Sequence, residues 1–369
     1  MKFYHILFLF ILPSKVYCQS FTTHLIDDFS STSIHAADLD SDGWIDIVAT
    51  SKTGTLVNWY ENNGDGTFRT NFVSNKPGSG PRDVKIANLD KDADMDVIVV
   101  SDLDSSAYWY ENDGDENFTE RTISSSLGNA NSVVVTDMNN DTELDILTSS
   151  YGLFSSNGLV NYFLNNGTEN FTNNTIVNIS NVIILDAFAA NIFSNDLKDI
   201  IVANTQTNTI RLFKHNANST FTEQTEVATG VSGVTGLFAI DMDNDGDVDI
   251  LSASQNDNTI RWHENISQVF TSHTIDNNLD EAYAVYAGDL DSDGFMDVAA
   301  AGVASGSVNV YINNTDNTFT LHRLNGNAAD ASDVFMADVN NDGSLDVISA
   351  SSTGVRWYEN HTIFKSGFE

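Results

Sequence analysis

Asp38-Leu39-Asp40-Ser41-Asp42-Gly43-Trp44-Ile45-Asp46 is the stretch on which the fold turns. Carboxylates stand at positions 1, 3, 5 and 9 of this loop, and glycine stands at position 6. Side-chain oxygens at alternate positions converge only if the backbone curls tightly, and glycine accepts positive φ without a Cβ clash. Ile45 at position 8 is apolar, and Asp46-Ile47-Val48-Ala49 then runs on as a short apolar strand. A loop of hard oxygen donors between two strands is chemistry suited to Ca2+, which takes about six to eight oxygens. An EF-hand shares the first half of this pattern but needs Glu at position 12 and flanking helices. Position 12 here is Ala49, and in later copies Ser252, Ala300 or Ser349, so the EF-hand is excluded.

The stretch recurs. Copies begin at residues 38, 88, 137, 191, 241, 289 and 338, with gaps of 50, 49, 54, 50, 48 and 49. A period near 50 residues fits one four-stranded propeller blade. Each unit also has the same internal order. A short apolar strand precedes the loop (Val133-Val134-Val135) and another follows it. Next comes an aromatic strand such as Asn58-Trp59-Tyr60-Glu61-Asn62 or Arg356-Trp357-Tyr358-Glu359-Asn360. A turn such as Asn63-Gly64-Asp65-Gly66 then leads to a last strand near Phe68, which is hairpin chemistry. The fold class is therefore all-β: a seven-bladed β-propeller of four-stranded antiparallel blades. Phe21 to Ile26 resembles a fourth strand with no blade of its own, and the seventh unit nearly runs out after Asn360. The N-terminal strand is expected to close the ring, which removes the exposed edges of an open stack.

Four copies keep glycine at position 6 (Gly43, Gly246, Gly294, Gly343) and are expected to hold calcium. Their ligands are Asp38, Asp40, Asp42 and Asp46; Asp241, Asp243, Asp245 and Asp249; Asp289, Asp291, Asp293 and Asp297; and Asp338, Asn340, Asp342 and Asp346. Two further sets are expected to bind more weakly. Asn88, Asp90, Asp92 and Asp96 surround Ala93, and Asp137, Asn139, Asp141 and Asp145 surround Thr142. The fourth copy has Phe193 at position 3, which offers no oxygen, and is expected to bind none.

The loops and period resemble the FG-GAP/VCBS repeat family, which includes the integrin α-chain propeller and calcium-bearing propeller lectins. The resemblance covers roughly residues 21–362. It implies a seven-bladed propeller, structural calcium, secretion and binding of glycans or proteins. The Phe-Gly and Gly-Ala-Pro signatures of the integrin branch are absent from this chain.

Composition narrows the partners. Asp and Glu number 52 against 16 Lys and Arg, a formal charge of −36. Nucleic acid is excluded as a partner because phosphates need a basic footprint, and an acidic membrane surface is excluded on the same ground. Lys2, the apolar run Ile6 to Leu12 and Val16-Tyr17-Cys18 read as a signal peptide over 1–18. The run is too short to span a bilayer, so no membrane insertion is expected. The propeller is assigned to 19–362, with a short tail at 363–369, in a secreted monomer. Cys18 is the only cysteine, so the mature chain has no disulfide and metal is the natural staple.

The Asp loops fall on one rim. The opposite rim is freer to vary and is the expected ligand face for an extracellular glycan or protein. Arg82, Asp83, Tyr151, Tyr283 and Asp333 are its candidate ligand-binding residues, with Ser33, Ser132 and Asp186 at matching depth. His35 and Lys85 share one first-strand position where other blades are expected to carry Phe or Tyr. With Arg82 and Tyr283 they offer the alternative of a polysaccharide lyase. A purely structural scaffold is the third reading. The Trp of each aromatic strand is assigned to packing between blades.

Overall fold

The computed structural model describes residues 16–365 apart from 52, 77–78, 151–156, 169, 181 and 325–326. Every element among them is a β-strand, and there is no helix. The strands make seven antiparallel sheets in sequence order around a ring. The innermost strands are Ser33–Ala37, Pro81–Ala87, Ala130–Thr136, Ile184–Ala190, Val234–Ile240, Ala282–Gly288 and Asp333–Ala337.

The seventh blade is completed by the chain's start. Strand Val16–Asp27 pairs antiparallel with Gly354–Lys365, from Val16 opposite Lys365 to Asp27 opposite Val355. The closure expected over residues 21–26 is present and extends further at both ends. It enters the segment assigned as tail (363–369) and includes residues 16–18. Residues 1–15, which hold most of the expected signal peptide, lie outside the described residues.

Sequence patterning explains why each strand sits where it does. The second strand of every blade is buried throughout, from Asp46–Ser51 to Asp346–Ser351. It lies between neighbouring blades, so both faces need apolar or small side chains. First strands alternate, as in Ile34 buried against a neighbour and His35 facing the axis. Fourth strands are largely exposed, as in Phe68–Asn75.

The apolar core is a set of seven clusters, each joining two adjacent blades. Trp59 packs with Val84 and Tyr108 of the second blade, and Trp357 packs with Ile34 and Tyr60 of the first. The aromatic strands are therefore inter-blade mortar, as the sequence suggests.

Candidate functional site

The Asp-loop rim is built on two pins, the first recurring in all seven blades and the second in six, since the fourth blade ends its aromatic strand in His215. The position-9 carboxylate is buried, and each of its oxygens accepts a backbone N–H. In the first blade Asp46 Oδ2 takes Leu39 N–H at 3.1 Å and Oδ1 takes Asn62 N–H at 2.7 Å. Asp96, Asp145, Asp199, Asp249, Asp297 and Asp346 repeat this. Burial, countered by these bonds, raises Asp46, Asp96 and Asp346 to about 7 and Asp297 to about 8. The six position-9 residues expected as metal ligands, and Asp199 of the loop expected to bind none, thus fasten the loop to the strand.

The second pin is the Asn that ends the aromatic strand, which the sequence reading assigned no role. Asn62 Nδ2 donates to Ile45 O and to Val339 O of the preceding blade, at 3.0 and 2.9 Å. Asn112, Asn165 and Asn360 bridge blades in the same way. The recurrence of Glu-Asn after Trp-Tyr was the available signal.

The loops themselves carry the expected curl. Gly43, Gly246, Gly294 and Gly343 have φ of 93°, 94°, 94° and 89°. Ala93 and Thr142 take the same conformation at 98° and 76°, which strains a residue with a Cβ. The position-1 carboxylate locks the curl, as in Asp38 Oδ2 accepting Gly43 N–H at 2.9 Å.

Three loops bring carboxylate oxygens within 4.8 Å of one another: Asp38, Asp40 and Asp42; Asp241, Asp243 and Asp245; Asp289, Asp291 and Asp297. Asp241 Oδ1 and Asn88 Oδ1 are buried with no hydrogen-bond partner. Clustered carboxylate oxygens, with an unpartnered buried one at Asp241, fit a hard divalent cation. In the fourth loop the Lys214 ammonium lies 4.6 Å above the Phe193 ring instead.

The opposite rim opens into the central channel, a cavity of about 310 Å³. Two layers of seven inward positions line it. The upper layer is Ser33, Asp83, Ser132, Asp186, Gly236, Ala284 and Asp333, and the lower is His35, Lys85, Val134, Phe188, Phe238, Tyr286 and Phe335. Val134 corrects the expectation of Phe or Tyr at that position in the third blade. A Cβ on Gly236 would stand 2.7 Å from Tyr283 O, so only glycine lets these two inner strands approach.

The upper layer braces the ring. Asp83 Oδ1 accepts the Ser33 hydroxyl at 2.7 Å, and its Oδ2 accepts Val133 N–H at 2.8 Å. Asp333 accepts Ile34 N–H at 3.0 Å and Asp186 accepts Leu237 N–H at 2.8 Å. Asp83 and Asp333 therefore act first as inter-blade acceptors. Lys85 Nζ donates to Asp83 at 2.9 Å. Burial opposes its charge, but Asp83, Asp333 and Asp186 outweigh that and raise its pKa. His35 is lowered to about 3 by burial and then by Lys85.

At the mouth, Arg82 donates to Asn131 Oδ1 at 2.9 Å and to the Tyr283 hydroxyl at 2.6 Å. The four residues grouped from sequence (His35, Arg82, Lys85, Tyr283) do share this one cavity. Tyr151 lies outside the described residues. Two further carboxylates on this rim are tied into the fold: Asp104 accepts the Tyr108 hydroxyl at 2.6 Å, and Asp257 pairs with Arg261 at 2.8 Å.

A closed ring of seven four-stranded blades, with Asp loops on one rim and a polar channel mouth on the other, defines a repeat-built β-propeller. The FG-GAP-like repeat model matches residues 38–99, 88–148, 193–252, 241–300 and 289–349. The chain belongs to that family. No curated protein matches its sequence. Among solved structures it is similar to an Agrocybe aegerita lectin described as recognising non-reducing terminal N-acetylglucosamine. That match has 16% identity and a TM-score of 0.58, over 88% of this chain and 86% of the lectin. It is also similar to BBS1N in complex with ARL6DN, at 11% identity and a TM-score of 0.63 over 96% and 99% of the two chains. A putative gluconolactonase follows at 12% identity and a TM-score of 0.51, covering 93% of each. At these identities the likeness is one of fold.

Proposed function

We propose that this protein is a secreted, calcium-stabilised recognition module whose channel mouth binds an extracellular glycan or protein. The observation that carries the reading is the 310 Å³ cavity, lined by convergent polar groups above aromatic rings and placed on the rim free of Asp loops. Concave sites with a few directed polar groups are the usual form of ligand sites. The lectin and the BBS1N complex show that related folds support binding to a sugar and to a protein.

The calcium reading rests on the converging oxygens of the Asp loops and on the unpartnered Asp241 and Asn88 oxygens. Secretion rests on the sequence of residues 1–18. The lyase alternative is weaker on chemical grounds. A general base works best with a pKa near the working pH, and His35 is lowered to about 3 while Asp83 keeps Lys85 protonated.

A glycan array probed in calcium buffer, beside a panel of extracellular proteins, tests the assignment. Binding is expected, and Arg82→Ala is expected to abolish or reduce it. Silence on both panels, or binding indifferent to Arg82→Ala, overturns the channel mouth as the site.

A further inference from the structure

The channel is asymmetric, and the asymmetry points to the chemistry of its ligand. Asp83 is neutralised by Lys85 at 2.9 Å on the second blade. Among the described residues no cation makes an ion pair with Asp186 of the fourth blade or Asp333 of the seventh. Burial raises these two to about 7 and about 6, although Lys85 pulls both down, so three channel carboxyls share one buried ammonium. Between them, the fifth and sixth blades present only Gly236 and Ala284, so no side chain longer than a methyl group fills that level.

Beneath the gap runs an arc of aromatic rings. Phe188 lies 5.4 Å from Phe238, Phe238 lies 4.4 Å from Tyr286, and Tyr286 lies 4.7 Å from Phe335. In a seven-membered ring the second blade is diametrically opposite the junction of the fifth and sixth. Lys85 therefore stands on the far wall from this gap. His35 continues the arc 4.5 Å from Phe335, and its enclosed Nδ1 has no hydrogen-bond partner. Held neutral, that imidazole is able to offer an acceptor nitrogen.

We propose that this face of the channel binds an amino sugar, with its ammonium group between the Asp186 and Asp333 carboxylates above the aromatic arc. The proposal rests on the recognition reading above and names its ligand class. Aromatic faces attract cations, and they also stack on the C–H faces of a sugar ring. A second buried ammonium adds to the single positive charge of Lys85 that Asp83, Asp186 and Asp333 share. The cavity of about 310 Å³ is at the low end for small-molecule sites, which suits one sugar ring. The Arg82–Tyr283 bond spans the mouth above it.

The test is calorimetric titration with D-glucosamine, N-acetyl-D-glucosamine and D-glucose in calcium buffer at neutral pH. Glucosamine is expected to bind at least about ten-fold more tightly than the other two, the worth of one charge-assisted contact. Asp186→Asn and Asp333→Asn are each expected to cost about the same factor, and Phe238→Leu a smaller one. Circular dichroism establishes that each variant is folded, and the wild-type comparison of the three sugars needs no variant. Equal binding of glucosamine and glucose overturns the proposal, as does binding of tetramethylammonium without glucosamine. If the array gives ligands sensitive to Arg82→Ala while glucosamine does not bind, this proposal falls and the recognition reading stands. If neither binds, both fall.

Discussion

The Arg82 guanidinium donates to the Tyr283 hydroxyl at 2.6 Å, and in doing so joins the second blade to the sixth. Those blades are not neighbours, so the bond crosses the channel mouth. Tyr283→Phe removes it while leaving the ring in place. We expect a loss of about 1.5–3 kcal/mol, the value of a hydrogen bond to a charged group, measured by urea unfolding. A loss above about 4 kcal/mol would mean that the bond holds the ring together and does not merely span it.

Chelation is expected to lower the melting temperature and calcium to restore it, since a ligand that binds only the folded state stabilises it. An unchanged melting curve in excess chelator overturns the metal assignment. The fourth blade supplies an internal control. Asp199 accepts Ile192, Phe193 and His215 N–H groups in a loop with Phe193 at position 3. Asp199→Asn should therefore cost about 2–4 kcal/mol to the same extent with or without calcium. Asp42→Asn, in a glycine-bearing loop, should lose its effect once chelator is present.

Thr142 holds φ at 76° where four other loops use glycine. A β-branched residue in that region is strained by about 1–3 kcal/mol, and glycine adds unfolded-state entropy worth up to about 1 kcal/mol. Thr142→Gly should therefore stabilise the protein by about 1 kcal/mol, read as a higher urea midpoint. A lower midpoint would mean that the Thr142 side chain, which accepts from Lys91 Nζ at 3.0 Å, matters more than its backbone.

His263 is enclosed between Ser252 and Ser272, with its two nitrogens 2.9 and 2.8 Å from their hydroxyls. Burial, followed by Arg261 and His273, lowers it to about 3. Below about pH 6.5 the unfolded chain takes up a proton that the folded chain refuses. The side chain's contribution is thus complete above pH 6.5 and declines as the pH falls toward 3. At about 1.4 kcal/mol per unit, the loss by pH 5 is about 2 kcal/mol. Tyr60, Tyr110 and Tyr358 occupy the matching positions, so His263→Tyr should flatten this acid limb relative to wild type. Parallel stability curves for the two proteins between pH 7 and 5 would refute the assignment.

The ring and its seven loops were legible because a 50-residue period repeats one set of demands seven times. Glycine at position 6 announced the positive φ, and Ala93 and Thr142 follow the same path without announcing it. The paired strand ends were visible in the orphan strand at Phe21. The second role of the position-9 carboxylates was not, because an Asp that accepts two backbone N–H groups is spelled like one that binds metal. Nor did the sequence reveal Asn62 and its counterparts as bridges, since they act on carbonyls of another blade. The channel grouping of Arg82, Lys85, His35 and Tyr283 was inferred from equivalent repeat positions. Val134 escaped it because position in a repeat does not dictate side-chain type.

Strand Val16–Asp27 lies against Gly354–Lys365, and this has a temporal consequence. Most other strand pairings join neighbours in sequence and are available as soon as one blade has been synthesised. The seam must wait for residues 354–365, and it closes by far the longest loop among the described strand pairings. The entropic cost of such closure grows only logarithmically with length, but the search for it is slow. Refolding should accordingly show an early phase of local sheet formation and a late one in which the circle locks. Because Val16 and Lys365 lie side by side, a peptide tether joining the two strands there should abolish the late phase and allow new termini to be opened at an exposed hairpin such as Asn63 to Gly66.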